Sequence, residues 1–171
     1  MEYVDLFDKN RISLNMTKER FECVPDSYTQ VVHVWIKNDK GEFLIQKRSM
    51  KKKAFPGKWS VTGGGVESGE TPLNAAIREC KEEIGIDIIL ENIELLMTIK
   101  RQDIFMDIFL AHQSFSIEDV ELEENEVDEV KWATEKEIRK LMKEDKVGES
   151  MMIYFNTLCK LIERNKKIIL Y

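Results

Sequence analysis

Three glutamates that could bind a metal ion are grouped in one short stretch of the sequence: Glu79, Glu82 and Glu83. If this stretch is helical, spacings of three and four residues place the carboxylates on one surface of the helix. Neighbouring carboxylates repel one another, and in the second half of a helix the dipole also disfavours anions. The cluster is therefore unfavourable for helix stability but typical of a site for a hard divalent cation such as Mg²⁺ or Mn²⁺, which prefers oxygen ligands.

The element that must carry these glutamates is predicted to be a helix from Thr71 to Gly85. Thr71 can cap its first turn, Pro72 occupies a position where a missing N–H costs nothing, and Gly85 can end it. One face of this helix is apolar at helical spacing and comprises Leu73, Ala76, Ile77, Cys80 and Ile84. The glycines at 63–65 precede the helix and predict a loop whose backbone can come close to a ligand.

Each of these features by itself has an ordinary structural interpretation. A glutamate-rich helix is usually a solvated surface, and consecutive glycines more often form a plain loop than a phosphate cradle. A P-loop is excluded, because no Gly-Lys-Ser/Thr sequence follows the glycines. The joint spacing of the glycines and the glutamates with Glu70 and Arg78 is what favours a functional site.

The stretch from Gly64 to Ile86 resembles the sequence box of the Nudix hydrolase superfamily, in its MutT-like form. That box has a glycine, a glutamate, an Arg-Glu pair, a Glu-Glu pair, and a closing glycine followed by an aliphatic residue, at set intervals. The matching residues are Gly64, Glu70, Arg78, Glu79, Glu82, Glu83, Gly85 and Ile86. Cys80 departs from the pattern, which usually has Ile, Leu or Val there, but cysteine packs as a small hydrophobe.

The resemblance implies both a fold and a reaction. The expected fold is of the α/β class, a Nudix α/β/α sandwich with a central mixed β-sheet, formed by one domain over residues 1–171 with the Nudix box at 64–86. The expected reaction is Mg²⁺-dependent hydrolysis, with Mn²⁺ as the alternative ion. It cuts a phosphoanhydride bond in a small molecule, a nucleoside diphosphate linked to another moiety.

The resemblance also implies roles for individual residues of the box. Four groups would bind the metal, three carboxylates and one backbone carbonyl: Glu79, Glu82, Glu83 and Gly63. Two further residues, Glu70 and Arg78, would form an ion pair that holds the glycine segment on the helix and orients Glu79 for catalysis.

The carboxylate that removes a proton from the attacking water is left open by the resemblance. Two candidates, Glu79 and Glu83, lie in the box. Two others, Glu123 and Glu126, lie in the stretch 117–130, which is rich in acidic residues and contains no basic one. The alternative interpretation of this stretch is a solvated loop followed by an edge strand.

Basic residues after the second predicted strand are expected to contact the substrate. By the resemblance, Arg48 and Lys58 approach its phosphates, and Gly64 lets the backbone come close to them. The lysines at 51–53 are interpreted as solvated charge. The tryptophans are interpreted as core residues, and His33 as a hydrogen-bonded buried histidine.

Two other functions are open on the same fold. The runs 5–11, 32–36 and 41–49 resemble the branch of Nudix proteins near isopentenyl diphosphate isomerase. The isomerase chemistry of similar enzymes uses a cysteine soon after a Pro-Gly-x-Trp segment and a histidine-rich site, whereas here Ser60 follows Trp59 and the chain has 2 histidines. A hydrolase whose sequence resembles the isomerase branch therefore fits these residues better than an isomerase does. A non-catalytic nucleotide-binding regulator is the other alternative, although no carboxylate of the box is missing.

The composition of the chain limits its location and partners. The net charge of −6 argues against binding to nucleic-acid backbones, which demand a basic surface. The chain lacks an apolar run of about 18 residues, so no membrane span is expected. The 3 cysteines fit neither a zinc spacing nor a disulfide framework, which favours a reducing cytoplasm.

The remaining elements are predicted from hydrophobic periodicity and turn residues. Strands are expected at residues 30–36, 42–47, 59–62, 94–100, 104–113 and 126–132, and helices at 134–143 and 150–164. Residues 1–25 are expected to form an irregular arm with one short strand. The apolar stripe of the last helix is expected to pack on its own domain, with a homodimer contact as the alternative, and the apolar end at 168–171 has the same two interpretations.

Overall fold

The structure consists of alternating strands and helices. It is a computed structural model and describes residues 2–164 and 168–169. Its strands are β1 (Tyr3–Phe7), β2 (Ser13–Glu19), β3 (Thr29–Lys37), β4 (Phe43–Arg48), β5 (Trp59–Ser60), β6 (Thr62–Gly65), β7 (Ile93–Arg101), β8 (Ile104–His112), β9 (Val127–Ala133) and β10 (Ile168–Ile169). Its helices are α1 (Pro72–Ile84), α2 (Glu135–Lys143), α3 (Glu149–Met152) and α4 (Phe155–Arg164). Most of these elements lie close to the bounds that the sequence predicts; the exceptions are the N-terminal arm, the glycine segment and the last helix.

Strand β3 lies inside a mixed sheet of 8 strands. It pairs in parallel with β8 along its whole length, and antiparallel with β6 and, at its end, with β4. Strands β5 and β9 pair with β4, while β7 and β10 extend the sheet beyond β8. The expectation of a central mixed sheet is therefore confirmed.

Helices cover both faces of the sheet because the side chains of β3 alternate in direction. Val32, Val34 and Ile36 belong to the apolar core under α1. Trp35 belongs to the core on the opposite face, where its ring stacks on that of Phe155 in α4 with centroids 5.3 Å apart. One layer is thus formed by α1 and the other by α2, α3 and α4, which confirms the α/β/α arrangement. Within the described residues, no helix is long and apolar enough to cross a membrane.

The N-terminal residues form an antiparallel hairpin of β1 and β2, so the prediction of an irregular arm was wrong. Strand β2 is almost entirely exposed and lacks the apolar alternation by which a strand is predicted. The hairpin is tied to the main sheet by Arg11, whose Nη1 donates to Asp107 Oδ1 at 2.9 Å while its Nη2 contacts the other oxygen. Asp107 is buried and also accepts from Thr98 Oγ1 at 2.5 Å, so its charge is compensated by several donors.

The C-terminal apolar stripe lies on two helices, α3 and α4, rather than on the single predicted helix. The interruption allows the consecutive residues Tyr154 and Phe155 both to be buried. Met151 and Leu158 are also fully buried, which confirms that the stripe packs on its own domain, although Met152 remains exposed. The homodimer stays a prediction. At the apolar end of the chain, β10 pairs with β7, and residues 170–171 lie outside the described residues.

Candidate active site

Helix α1 has the cap structure that the sequence predicts. Thr71 Oγ1 accepts a hydrogen bond from the Asn74 N–H at 3.2 Å, and Pro72 is the first helical residue. Gly85 ends the helix in the left-handed conformation, with φ of 69°. Cys80 is completely buried in the helix's apolar face. Because these local signals set where the helix begins and which face is buried, they also set the direction in which its glutamates point.

The glycine segment is a strand, not the loop that was predicted. In β6, Gly63 lies opposite His33 and Gly64 lies opposite Val32 of β3. A Cβ atom on Gly63 would lie 2.1 Å from the backbone oxygen of Val32, and a Cβ atom on Gly64 would lie 2.1 Å from Glu79 Oε1. Gly63 therefore allows two backbones to approach, whereas Gly64 makes room for a carboxylate of α1.

This difference predicts opposite outcomes for two alanine substitutions. Gly63→Ala should lower the free energy of unfolding by about 3 kcal/mol or more, because the strand backbones have to separate. Gly64→Ala should leave the fold largely intact but displace the flexible Glu79 carboxylate and reduce turnover. Denaturant unfolding and activity assays on both variants separate the effects. A Gly63→Ala protein as stable as the wild type would contradict the close approach of β6 to β3.

The carboxylate of Glu83 is buried and hydrogen-bonded in the floor of the site. Its Oε2 accepts from Gln46 Nε2 at 2.8 Å and from the Gly63 N–H at 3.1 Å. The Gln46 amide is oriented in turn by Thr62, whose hydroxyl donates to Gln46 Oε1 at 2.9 Å. Sequence reasoning missed Gln46; the available signal was a polar residue that follows the apolar run 43–45 within one strand.

Burial raises the pKa of Glu83 to about 7, above its ordinary value of 4.5. Between these values the folded protein keeps a proton that the unfolded chain releases. The contribution of Glu83 to the free energy of unfolding should therefore fall by roughly 3 kcal/mol as the pH rises from about 4.5 to about 7. Denaturant titrations of the metal-free protein across this range should show the decrease, and Glu83→Gln should lack it. Parallel profiles for the two proteins would contradict the raised pKa.

Arg78 holds the other acidic residues of the site together. Its Nε and Nη2 donate to the two oxygens of Glu70 at 3.1 and 3.0 Å, and Nη2 also donates to the Gly65 carbonyl at 3.0 Å. Its Nη1 donates to Glu79 at 3.0 Å and to Glu82 at 2.9 Å. The structure thus contains the Glu70–Arg78 ion pair that the resemblance implies, and extends it to two of the three clustered glutamates.

The chemistry of the donor set suits a hard divalent cation. Glu79 and Glu83 are only 8% and 4% exposed, and burial raises the pKa of each, so a bound cation would stabilise charged forms that burial disfavours. Among the described residues, no three acidic side chains already converge at ligand spacing. The reason is that Arg78 holds Glu79 and Glu82, whereas Gln46 and a backbone N–H hold Glu83. Binding of one ion by all three would require these carboxylates to move towards a common point.

The glutamates and glycines line a cleft of about 580 Å³, a volume typical of small-molecule sites. Besides Arg78, basic residues from two separate parts of the chain line the same cleft: Arg20, Arg48 and Lys52. Glu123 and Glu126 also belong to its lining, and the Glu126 carboxylate forms an ion pair with Lys52. The cleft therefore combines an acidic helix with cations that could bind the phosphates of a ligand.

The structure places the basic residues of the predicted site differently from one another. Lys58 is not among the residues that line the cleft; its ammonium group lies 2.9 Å from the Asp145 carboxylate and also contacts the Asp145 carbonyl oxygen. The loop after α2 thus holds the Lys58 ammonium group, and a contact of Lys58 with phosphate stays a prediction. Lys52, interpreted as solvated charge, does line the cleft. Arg48 lines the cleft, and its Nε donates to the Ala54 carbonyl at 3.0 Å.

The N-terminal hairpin contributes residues that sequence reasoning missed. Glu2, Arg20 and Phe21 line the cleft beside the box residues. The Arg20 side chain lies over Gly65, since a Cβ atom there would be 3.2 Å from Arg20 Nε. No sequence pattern points to these residues, because their position depends on how the hairpin docks on the sheet.

The remaining residues of interest have structural roles. Trp35 and Trp59 are buried, as expected for core residues. His33 Nδ1 lies 2.6 Å from the Tyr154 hydroxyl, which also accepts a hydrogen bond from Trp35 Nε1 at 3.1 Å. Burial lowers the pKa of His33 to about 4, so the imidazole is neutral near pH 7. This arrangement confirms His33 as a hydrogen-bonded histidine in the strand that pairs with the glycine strand.

The sandwich fold and the glutamate-bearing helix after a glycine strand together define the class of Nudix proteins. Residues 27–153 match the model of the NUDIX domain, and the chain belongs to this family. It is an enzyme, a pyrophosphohydrolase of the Nudix type. Nudix hydrolases generally use divalent metal ions.

Known proteins support this assignment. An uncharacterized Nudix hydrolase of Listeria innocua is 35% identical over 143 residues, which cover 82% of this chain and 85% of the relative. Nucleoside triphosphatase NudI of Escherichia coli is 45% identical over 58 residues, 34% of this chain and 40% of that protein. The crystal structure of DR0079 from Deinococcus radiodurans shares the fold, with a TM-score of 0.74 and 21% identity over 95% of this chain and 98% of that chain. The isomerase-like branch stays a prediction.

Proposed function

We propose that the protein is a Mg²⁺-dependent hydrolase that cuts a phosphoanhydride bond in a nucleoside diphosphate linked to another moiety. The observation that carries the proposal is the cleft in which the glutamates of α1 lie together with Arg20, Arg48 and Lys52. Carboxylates can hold a divalent ion, and guanidinium and ammonium groups can bind the phosphate oxygens that the ion leaves uncompensated. A cleft with both acidic and basic groups suits a diphosphate that carries a metal ion better than it suits a free metal ion or a free anion.

The proposed metal ligands are the carboxylates and the backbone carbonyl that the box implies: Glu79, Glu82, Glu83 and Gly63. When bound, Mg²⁺ would neutralise phosphate oxygens and lower the pKa of an attacking water. Arg78 would orient Glu79 and Glu82 through the contacts it already makes. Gly64 would leave space for the Glu79 carboxylate and for a phosphate group.

Glu83 is the proposed proton acceptor among the four candidates. In the metal-free protein burial raises its pKa to about 7, because its surroundings favour the protonated form. Hydrogen bonds from Asn125 lower the pKa of Glu123, which makes that carboxylate a weaker base. Glu126 is engaged by Lys52, and Glu79 by Arg78. Both protein donors to Glu83 contact the same oxygen, Oε2.

A nucleotide is proposed as the substrate because a relative, nucleoside triphosphatase NudI, is named for such a substrate. We leave the second half of the substrate open between nucleoside diphosphates and triphosphates, nucleotide sugars, dinucleotides and capped ends. The proposed compartment is the cytoplasm, which is consistent with three unpaired cysteines.

A substrate panel tests the proposal. Each compound class is incubated with the protein and Mg²⁺, and release of phosphate, pyrophosphate or monophosphate is resolved by chromatography. Turnover is expected for at least one class, and removal of the metal with a chelator should abolish it until Mg²⁺ is restored. Nucleotide binding without any product would contradict the proposal and favour the non-catalytic regulator.

A further inference from the structure

We propose that Arg20 and Phe21, at the end of the N-terminal hairpin, form the outer half of the substrate site. Arg20 binds a phosphate group and Phe21 stacks on the nucleobase beyond it. This inference rests on the proposed function and deepens it, since it assigns the base-recognition element. Neither residue belongs to the Nudix box, and both lie in the cleft with the glutamates.

Phe21 is the most exposed large apolar side chain in the described part of the chain, at 93% of its full accessibility. A single exposed phenylalanine is common on protein surfaces. This one differs because its ring stands at a cleft whose other lining groups are almost all charged or glycine. A flat apolar ring there gives a charged ligand little stabilisation, but it can stack on the face of a planar base.

Arg20 lies beside both the glycine strand β6 and the aromatic ring of Phe21. Its guanidinium is 5.5 Å from the centroid of the Phe21 ring and forms an ion pair with Glu2. Its side chain packs over Gly65, whose carbonyl accepts from Arg78 at 3.0 Å. The Arg20 charge thus stands between Phe21 and the box, where a phosphate that joins a nucleoside to the reacting bond would lie.

Hydrogen bonds dock the hairpin on the box, and this places Arg20 and Phe21 at the cleft without a ligand. Asp5 of β1 accepts from Ser68 Oγ at 2.7 Å and from the Gly69 N–H at 3.0 Å, and the Tyr3 carbonyl accepts from the Ser68 N–H at 2.8 Å. The ion pair of Arg11 with the buried Asp107 anchors the hairpin's other end. A preorganised surface loses less entropy when the ligand binds, which favours a role in recognition.

Two non-hydrolysable probes that share one charged group test the proposal. They are α,β-methylene-ADP and methylenediphosphonate, measured by calorimetry in Mg²⁺ with the full chain. Phe21→Ala should weaken binding of α,β-methylene-ADP by roughly tenfold or more and leave methylenediphosphonate nearly unchanged. Phe21→Trp should preserve the affinity, whereas Phe21→Leu should not restore it. Phe55→Ala is the matched control, because Phe55 is also exposed but does not line the cleft.

Arg20→Gln supplies the complementary result, since loss of a phosphate contact should weaken both probes by a similar factor. The proposal is overturned if Phe21→Ala binds α,β-methylene-ADP like the wild type, if it weakens both probes equally, or if the wild type binds no α,β-methylene-ADP. Restored affinity in Phe21→Leu would overturn stacking in favour of a plain apolar contact. If binding depends on Phe21 but the substrate panel gives no product, the proposed hydrolysis is contradicted. The proposed stacking of Phe21 on the nucleobase is then still supported.

Discussion

Turnover is expected to fall by roughly a hundredfold or more when Glu82 is replaced by glutamine, while the fold stays intact. The Glu82 side chain is 57% exposed and its carboxylate contacts Arg78 at 2.9 Å, an exposed pair that contributes little to stability. Glutamine keeps the size of the side chain but removes a negative charge from the cleft. Steady-state kinetics on the best compound of the panel measure the loss, and denaturant unfolding shows whether the fold is preserved.

Glu91→Gln is the matched control for this experiment. Glu91 is exposed in the short turn between α1 and β7 and does not line the cleft, so the same charge change there should leave turnover at the wild-type level. Glu83→Gln should reduce turnover as Glu82→Gln does. Full activity in both of these variants would show that helix α1 does not carry the metal site.

Arg78→Ala is expected to damage both stability and activity. The substitution should lower the free energy of unfolding by about 3 kcal/mol, because it leaves partly buried carboxylates without their counter-ion. The side chains concerned are only 16% exposed at Glu70 and 10% at Glu79. Turnover should fall as well, since Glu79 and Glu82 lose the group that orients them. Arg78→Lys should rescue neither property, because one ammonium cannot reproduce the guanidinium fork.

A double-mutant cycle distinguishes this network from a set of independent contacts. If Arg78 mainly compensates Glu70, then Glu70→Gln should cost much less stability in the Arg78→Ala background than in the wild type. The coupling is measured by denaturant unfolding of the two single variants and the double variant. Strictly additive losses would contradict a shared network.

These electrostatic contacts explain how the acidic helix folds before any ion binds. Arg78 compensates Glu79 and Glu82, and Gln46 with a backbone N–H stabilises Glu83. The sequence indicated a repulsive cluster, and that interpretation holds for the carboxylates themselves. The spacing of the glutamates does not reveal how their charge is compensated, which depends on one guanidinium that contacts several acceptors at once.

The acidic helix could be predicted because every signal for it is local. Thr71, Pro72 and Gly85 act on the helix that they flank, and spacing along that helix places the glutamates on one surface. Likewise, the alternating pattern of β3 depends on its own residues. The glycine segment was assigned to a loop because glycine lacks strand propensity; its strand arises only from pairing with β3.

By itself, the sequence determined the family and the residues of the acidic helix, because both depend on types and intervals within one continuous stretch. Only the tertiary structure decided which distant groups complete the cleft. It brings in Arg20 and Phe21 from the hairpin and Gln46 from β4, and it turns Lys58 towards Asp145. Those positions depend on strand pairing and hairpin docking between remote segments, and no interval along the chain encodes such contacts.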